Sequence, residues 1–177
     1  KLYGAHYPDT GEDNYYSNSR KQLVAMLASN AVFSEVELTN FVPRQASELA
    51  PAGTADLVLT FRNLHNWRDD GVEQAFKDAY KALKKGGVLG VVEHRLPAGV
   101  DAEKAKGYVS QSKTIEQAKA AGFTLAASSE INANAKDSVI YPKGVWTLPP
   151  VLRLGEQDKA KYMAIGESDR MTLKFVK

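Results

Sequence analysis

The chain contains no cysteine. That excludes disulfides, thiolate nucleophiles and thiolate zinc ligands, and it leaves the compartment open, because a cysteine-free chain suits oxidising and reducing surroundings alike. No apolar run approaches the roughly 18 residues of a membrane-crossing helix, and no secretory signal pattern stands at the start. A dominant sign of charge is also missing: 23 Lys and Arg against 21 Asp and Glu give a formal net charge of +2. The lysines are scattered rather than gathered into a stripe, so neither a nucleic-acid nor a membrane partner is expected. Histidine is scarce, at three residues, and the 13 glycines never take a GxGxG spacing.

What is present describes a globular domain. The length of 177 residues, with 44% hydrophobic and 25% charged residues, favours one domain with a core of its own. Lys1 to His6 reads as a short strand stopped by Pro8. Ser19 stands as N-cap of a helix to Asn30, with Leu23, Val24, Leu27 and Ala28 spaced to face a core. Ala31 to Leu38 is strand-like, Pro43 to Gly53 loop, and Ala55 to Phe61 a strand. Gly71 to Lys85 carries the apolar stripe Val72, Phe76, Ala79, Tyr80 and Leu83, and Gly86-Gly87 reads as its C-cap. Val88 to Glu93 is a strand, Val109 to Ala121 a helix, and Phe123 to Ser129 and Met171 to Val176 are strands. Between the last two lie about forty irregular residues around Trp146 and Pro149-Pro150, a length that tends to carry function.

Strands alternating with helices imply an α/β, doubly wound, mostly parallel sheet, whose ligands bind outside the carboxyl ends of the strands. His6, His65 and His94 each end a strand, and so does the polar run Arg62-Asn63-Leu64-His65-Asn66-Trp67. A connection that only reversed the chain would use Gly, Pro, Asp or Ser. The Arg, Asn, His and Trp here point instead to a ligand site.

The segments AGTADLVLTFRNLHNW, ALKKGGVLGVVEHR, AAGFTLAASSEINAN, YPKGVWTLPP and GESDRMTLKFVK resemble a bacterial family of class I S-adenosylmethionine-dependent methyltransferases with no well-defined substrate. The resemblance spans most of the chain from Ala52 to Lys177. It implies a Rossmann-like sheet with a C-terminal antiparallel strand, S-adenosylmethionine as cofactor and a small-molecule methyl acceptor. It aligns KLYGAH with the second strand of that fold. The first strand, its glycine-rich loop and the first helix would then precede Lys1, and the 177 residues would be a fragment of a single methyltransferase-like domain. Because the first strand is central, its neighbours would otherwise expose unpaired edges.

The resemblance also distributes roles. Asp9 is the nearest carboxylate for the cofactor ribose, Asn40 and Phe41 would meet the adenine, and Arg62 and Trp67 would line the cofactor. Asn63 and His65, after the fourth strand, would hold the reacting groups, with His65 as general base. Glu93 and His94, closing the fifth strand, are further catalytic candidates. Several residues have a plainer reading beside the functional one. Asn63 and His65 can tie a loop together, Trp67 can simply pack, Arg62 can pair with Glu93 or an acidic substrate, and Trp146 can cover a sheet edge rather than wall an acceptor pocket with Tyr141 and Leu148. Two other functions stand beside methyl transfer: a non-catalytic binding protein with this fold, and a metal enzyme. The second is disfavoured, since His6 would lie roughly 10–15 Å from the other two histidines.

Overall fold

A computed structural model describes residues 1–177. The strands are β1 (Leu2–His6), β2 (Val36–Asn40), β3 (Ala55–Phe61), β4 (Leu83–Leu96), β5 (Val109–Ser110), β6 (Thr124–Ser129) and β7 (Arg170–Val176). The helices are α1 (Tyr15–Ala28), α2 (Leu64–Ala82), α3 (Gln111–Ala120) and α4 (Lys159–Ile165). The strands form a mixed α/β arrangement in two separate pieces. One piece is the parallel pair β1–β2; the other has the order β3-β4-β7-β6, with β5 paired to the end of β4. β3 and β4 are parallel, and β7 runs antiparallel to both β4 and β6.

The core forms where α2 lies on the larger piece. Its period of three and four buries Val72, Ala75, Phe76 and Ala79 against Leu89, Val91, Leu173 and Phe175. α3 adds Ala118, and the following turn adds Phe123. That turn needs Gly122: its φ is 106°, and a Cβ there would stand 2.8 Å from the Tyr80 ring. A smaller cluster of Ala105, Tyr108, Val139 and Val145 anchors the long segment before β7.

Several boundaries differ from the sequence reading. α1 begins at Tyr15, capped by the Asn14 side chain on the Ser17 N–H, and Ser19 lies inside it. Its expected core face is not buried: Val24 is 48% exposed, and only Ser17 is fully covered. Ala31–Phe33 is a 3-10 turn, so the strand starts at Val36. α2 begins seven residues early, at Leu64, and bends at Arg68, whose φ is 58°. It also stops before the expected Gly86-Gly87 cap, at Ala82; there the Lys177 ammonium donates to the carbonyls of Tyr80 and Leu83, standing in for a glycine cap. Val109 and Ser110 belong to a short strand, with Ser110 capping α3.

Between β1 and β3 no strand pair closes the sheet. A groove of about 720 Å³ runs there, lined by Leu2, Tyr3 and Ala5 on one side and Leu57, Leu59 and Phe61 on the other. Those three β3 side chains are about half exposed. The ends of both strands, His6 and Phe61, border one further cavity, so β1 and β3 point the same way.

The burial pattern sets where truncation is costly. Phe175→Ala empties a position with no exposure and is expected to lower stability by about 3–5 kcal/mol in urea unfolding. Met26→Ala, on the exposed face of α1, is expected to change it by less than about 0.5 kcal/mol.

Candidate active site

The site begins at the end of β3. Arg62 leaves the strand with φ 54°, a left-handed turn that favours glycine and costs a bulky residue of order 1 kcal/mol. Its N–H donates to the Val92 carbonyl at 2.8 Å, which holds the turn against β4. The chain then enters α2 with Asn63 at the N-cap position, yet the Asn63 side chain makes no cap bond. Glu93, from the neighbouring strand, takes that place. Its Oε2 accepts from the Leu64 N–H at 2.7 Å and more weakly from the His65 N–H at 3.4 Å. A carboxylate is well suited to the free N–H groups and positive pole of a helix start.

The other oxygen orients the imidazole. Glu93 Oε1 accepts from the His94 N–H at 2.8 Å and lies 3.0 Å from His65 Nδ1. Glu93 has no exposure, and every polar group around it is a donor. The proton of His65 therefore sits on Nδ1, and Nε2 keeps its lone pair. No protein group bonds that Nε2. The His65 ring lies 5.3 Å from the His94 ring and 5.7 Å from the Trp146 ring. His94 in turn hydrogen-bonds the buried Ser168 hydroxyl through Nδ1. Burial is the main reason that its pKa falls to about 4; the charges of His65, Arg62 and Arg170 add to the effect and Glu93 opposes it.

These groups open into a cavity of about 530 Å³ at the carboxyl ends of β1, β3 and β4, within the usual range for a small-molecule site. Asn63, His65, His94, Arg62, Trp67 and Phe41 all border it, so most of the residues expected from sequence come together. Trp67 and Phe41 do so as buried packing partners, edge to face at 4.9 Å. Phe41 is only 6% exposed and offers an edge rather than an open stacking face. Asp9 and Asn40 do not border the cavity. Asp9 accepts from the Gly11 N–H at 2.9 Å, and Asn40 borders a separate hollow beside Gln45 and Ser47. Arg62 does not pair with Glu93, whose oxygens are filled by N–H donors.

Trp146, Leu148, Pro149 and Pro150 wall the cavity from the long segment before β7, whereas Tyr141 turns away to bond Asp137. Residues that the sequence reading missed complete it: Tyr7 and Tyr16, stacked at 4.3 Å, and Arg153, Ser168 and Arg170. Ser168 and Arg170 stand in the segment GESDR, but nothing in that pattern says that they fold back beside His94.

The ligand atoms of His65, Glu93 and His94 lie within 4.8 Å of one another, a spacing that can hold a metal ion. Both oxygens of Glu93 are already committed to donors, however, and this suits an orienting carboxylate better than a ligand. His6 lies outside the group, bonded to Ser19 and to the Tyr7 carbonyl.

The buried neutral His94 makes stability depend on pH. Its folded pKa of about 4 lies below the ordinary value near 6.5, so the unfolded chain binds more protons between the two. Stability is expected to fall by up to about 3 kcal/mol as the pH drops from 7 to 4. In chemical unfolding followed across that range, His94→Asn should flatten the slope.

The O-methyltransferase domain family model matches residues 46–123, which include β3, α2, β4 and α3. No curated protein sequence matches the chain. Among solved structures, the chain is similar to the 4+2 cyclase SpnF, with a TM-score of 0.61 and 14% identity over 100% of this chain and 66% of that one. It is similar to PigF, solved with SAH, with a TM-score of 0.58 and 14% identity over 99% of this chain and 43% of that one. It is also similar to a SAM-dependent methyltransferase from Methanosarcina mazei, with a TM-score of 0.62 and 10% identity over 99% of this chain and 81% of that one. The chain thus spans from under half to about four fifths of these proteins. At such identities the likeness speaks for the fold: this chain has the class I S-adenosylmethionine-dependent methyltransferase-like fold.

Proposed function

We propose that the chain forms the catalytic and acceptor-facing part of an S-adenosylmethionine-dependent O-methyltransferase acting on a small molecule. The observation that carries this reading is the buried Glu93 holding His65 through Nδ1, with Nε2 unbonded in a residue that borders the cavity. When bound, the cofactor supplies an electrophilic methyl group. The cavity suits such a group in size, and in having aromatic walls (Tyr7 and Trp67) beside a cation, Arg62, for its carboxylate. As the acceptor oxygen takes the methyl group, its proton passes to His65 Nε2, and Glu93 stabilises the resulting imidazolium through Nδ1. His94, kept neutral, adds no competing charge beside the base. The hydroxyl acceptor follows the family model that matches residues 46–123. Trp146 and Leu148 wall the cavity beside the reacting groups.

The same reading includes a strand that the chain lacks. The groove between β1 and β3 is flanked by two unpaired edges pointing the same way and lined by half-exposed Leu57, Leu59 and Phe61. A parallel strand from upstream of Lys1 fits between them. Its carboxyl end would reach the cavity, where a glycine-rich loop can approach the cofactor. No loop of that spacing occurs within the 177 residues.

Calorimetry with S-adenosylhomocysteine tests both parts. The protein with its upstream residues is expected to bind at one site per chain, and residues 1–177 alone much more weakly; binding by neither would favour a non-catalytic binding protein of this fold. In the longer protein, His65→Gln is expected to lower kcat by about 10²–10⁴-fold while S-adenosylhomocysteine affinity holds. Unchanged kcat would remove His65 from the chemistry.

A further inference from the structure

The cavity's charge is unbalanced. Three arginines, Arg62, Arg153 and Arg170, border it, and Glu167 is the one acidic residue that does. Glu167 is already paired with Arg170. Elsewhere Arg44 is matched to Asp70, Arg95 to Asp169 and Glu130, and Arg20 donates to the Thr39 carbonyl. Arg153 has no acidic partner. Its guanidinium lies 4.9 Å over the Trp146 ring, and the His65 ring meets Trp146 edge on at 5.7 Å. The indole therefore spans from the base to an unpaired cation. Arg170 stands across β4 from His94 in register, and its buried Nε has no hydrogen-bond partner. The cationic methyl donor of the proposed reaction would raise the positive charge further.

Resting on the methyltransferase reading above, we propose that the acceptor is an anion: a flat, largely apolar hydroxy compound bearing a carboxylate. Its body lies along Trp146 with the hydroxyl toward His65, and its carboxylate is taken by Arg153, with Arg170 beside it. A guanidinium stacked on an indole is held flat, which suits the two-pronged hydrogen bonding of a carboxylate. With Arg62 left to the cofactor's carboxylate and Arg170 paired with Glu167, a carboxylate at Arg153 gives the remaining cavity arginine a partner. A neutral acceptor would leave the Arg153 guanidinium, which lies over Trp146 at the cavity rim, with solvent alone.

The test measures binding of para-hydroxybenzoate and its neutral analogue para-hydroxybenzamide to the protein with its upstream residues. Both are titrated calorimetrically with and without S-adenosylhomocysteine. The carboxylate is expected to bind at least about 10-fold more tightly than the amide. Arg153→Gln should abolish that preference, and Arg153→Lys should retain part of it. Equal affinity for the two probes, binding of neither, or a preference that survives Arg153→Gln would each overturn the proposal. Its failure is separable from that of the methyltransferase reading. Carboxylate binding that depends on Arg153 without any S-adenosylhomocysteine binding leaves the anion site standing and sinks methyl transfer. S-adenosylhomocysteine binding with indifference to the carboxylate does the reverse.

Discussion

A single carboxylate with no exposure to solvent, that of Glu93, ties the site together. It receives the first N–H groups of α2, the backbone N–H of His94 and the ring of His65. Burying an anion is costly unless every lone pair finds a donor, and here the donors come from two strand ends and a helix start. The same bonds that offset the burial dock α2 onto β4 and fix the tautomer of His65. Removing the carboxyl would loosen the helix start, the register of the two strand ends and the orientation of His65 together. The geometry of the site and local stability thus share one residue.

A second constraint is the division of the sheet. α2, α3 and strands β3 to β7 form a packed unit around Phe76, Leu89, Leu173 and Phe175. β1, β2 and α1 bury little of their own, as the exposed Val24, Met26 and Leu2 show. The cavity nevertheless needs both pieces, since Tyr7 and Tyr16 come from the weak one and His65 and His94 from the strong one. His65 and its orienting carboxylate therefore sit on the side with the packed core, while the aromatic wall beside Arg62 belongs to the part with the thinner core. A strand in the groove would bridge the two, covering Leu57, Leu59 and Phe61 and pairing two rows of free backbone groups.

Electrostatics in the cavity follow from the backbone as much as from the side chains. Arg62 occupies a left-handed turn that sets its guanidinium at the strand end. Arg170 arrives there because β7 runs antiparallel to β4, so that its first residue meets His94. The long segment before β7 adds Trp146 and Arg153 from the opposite wall. The enclosure of His94, with the charges of Arg62 and Arg170, disfavours an imidazolium at that position, whereas the Glu93 carboxylate lies at Nδ1 of His65.

Much of this was legible in the linear chain. Alternating apolar runs marked β3, β4, β6 and β7; the stripe from Val72 to Ala79 marked α2. The polar excess after Phe61 pointed to the strand ends, where the cavity lies, because a doubly wound fold places ligands at strand ends whatever the side chains are. The missing GxGxG spacing was a property of the letters alone. Other features depended on the tertiary structure. Periodicity gave α1 a core face, but burial needs a partner surface, and little lies against it. Local propensity put the start of α2 at Gly71; a carboxylate 29 residues away in sequence draws it back to Leu64. Asp9 and Phe41 had suitable chemistry at suitable positions in the chain, yet one lies outside the cavity lining and the other, packed on Trp67, meets the cavity only by an edge. Ser168, Arg153 and Arg170 carried no signal as letters, since their meaning is their distance from His94 and Trp146. Spacing along a chain reports which face of a strand or helix a residue takes; which remote groups meet it depends on packing that no local pattern encodes.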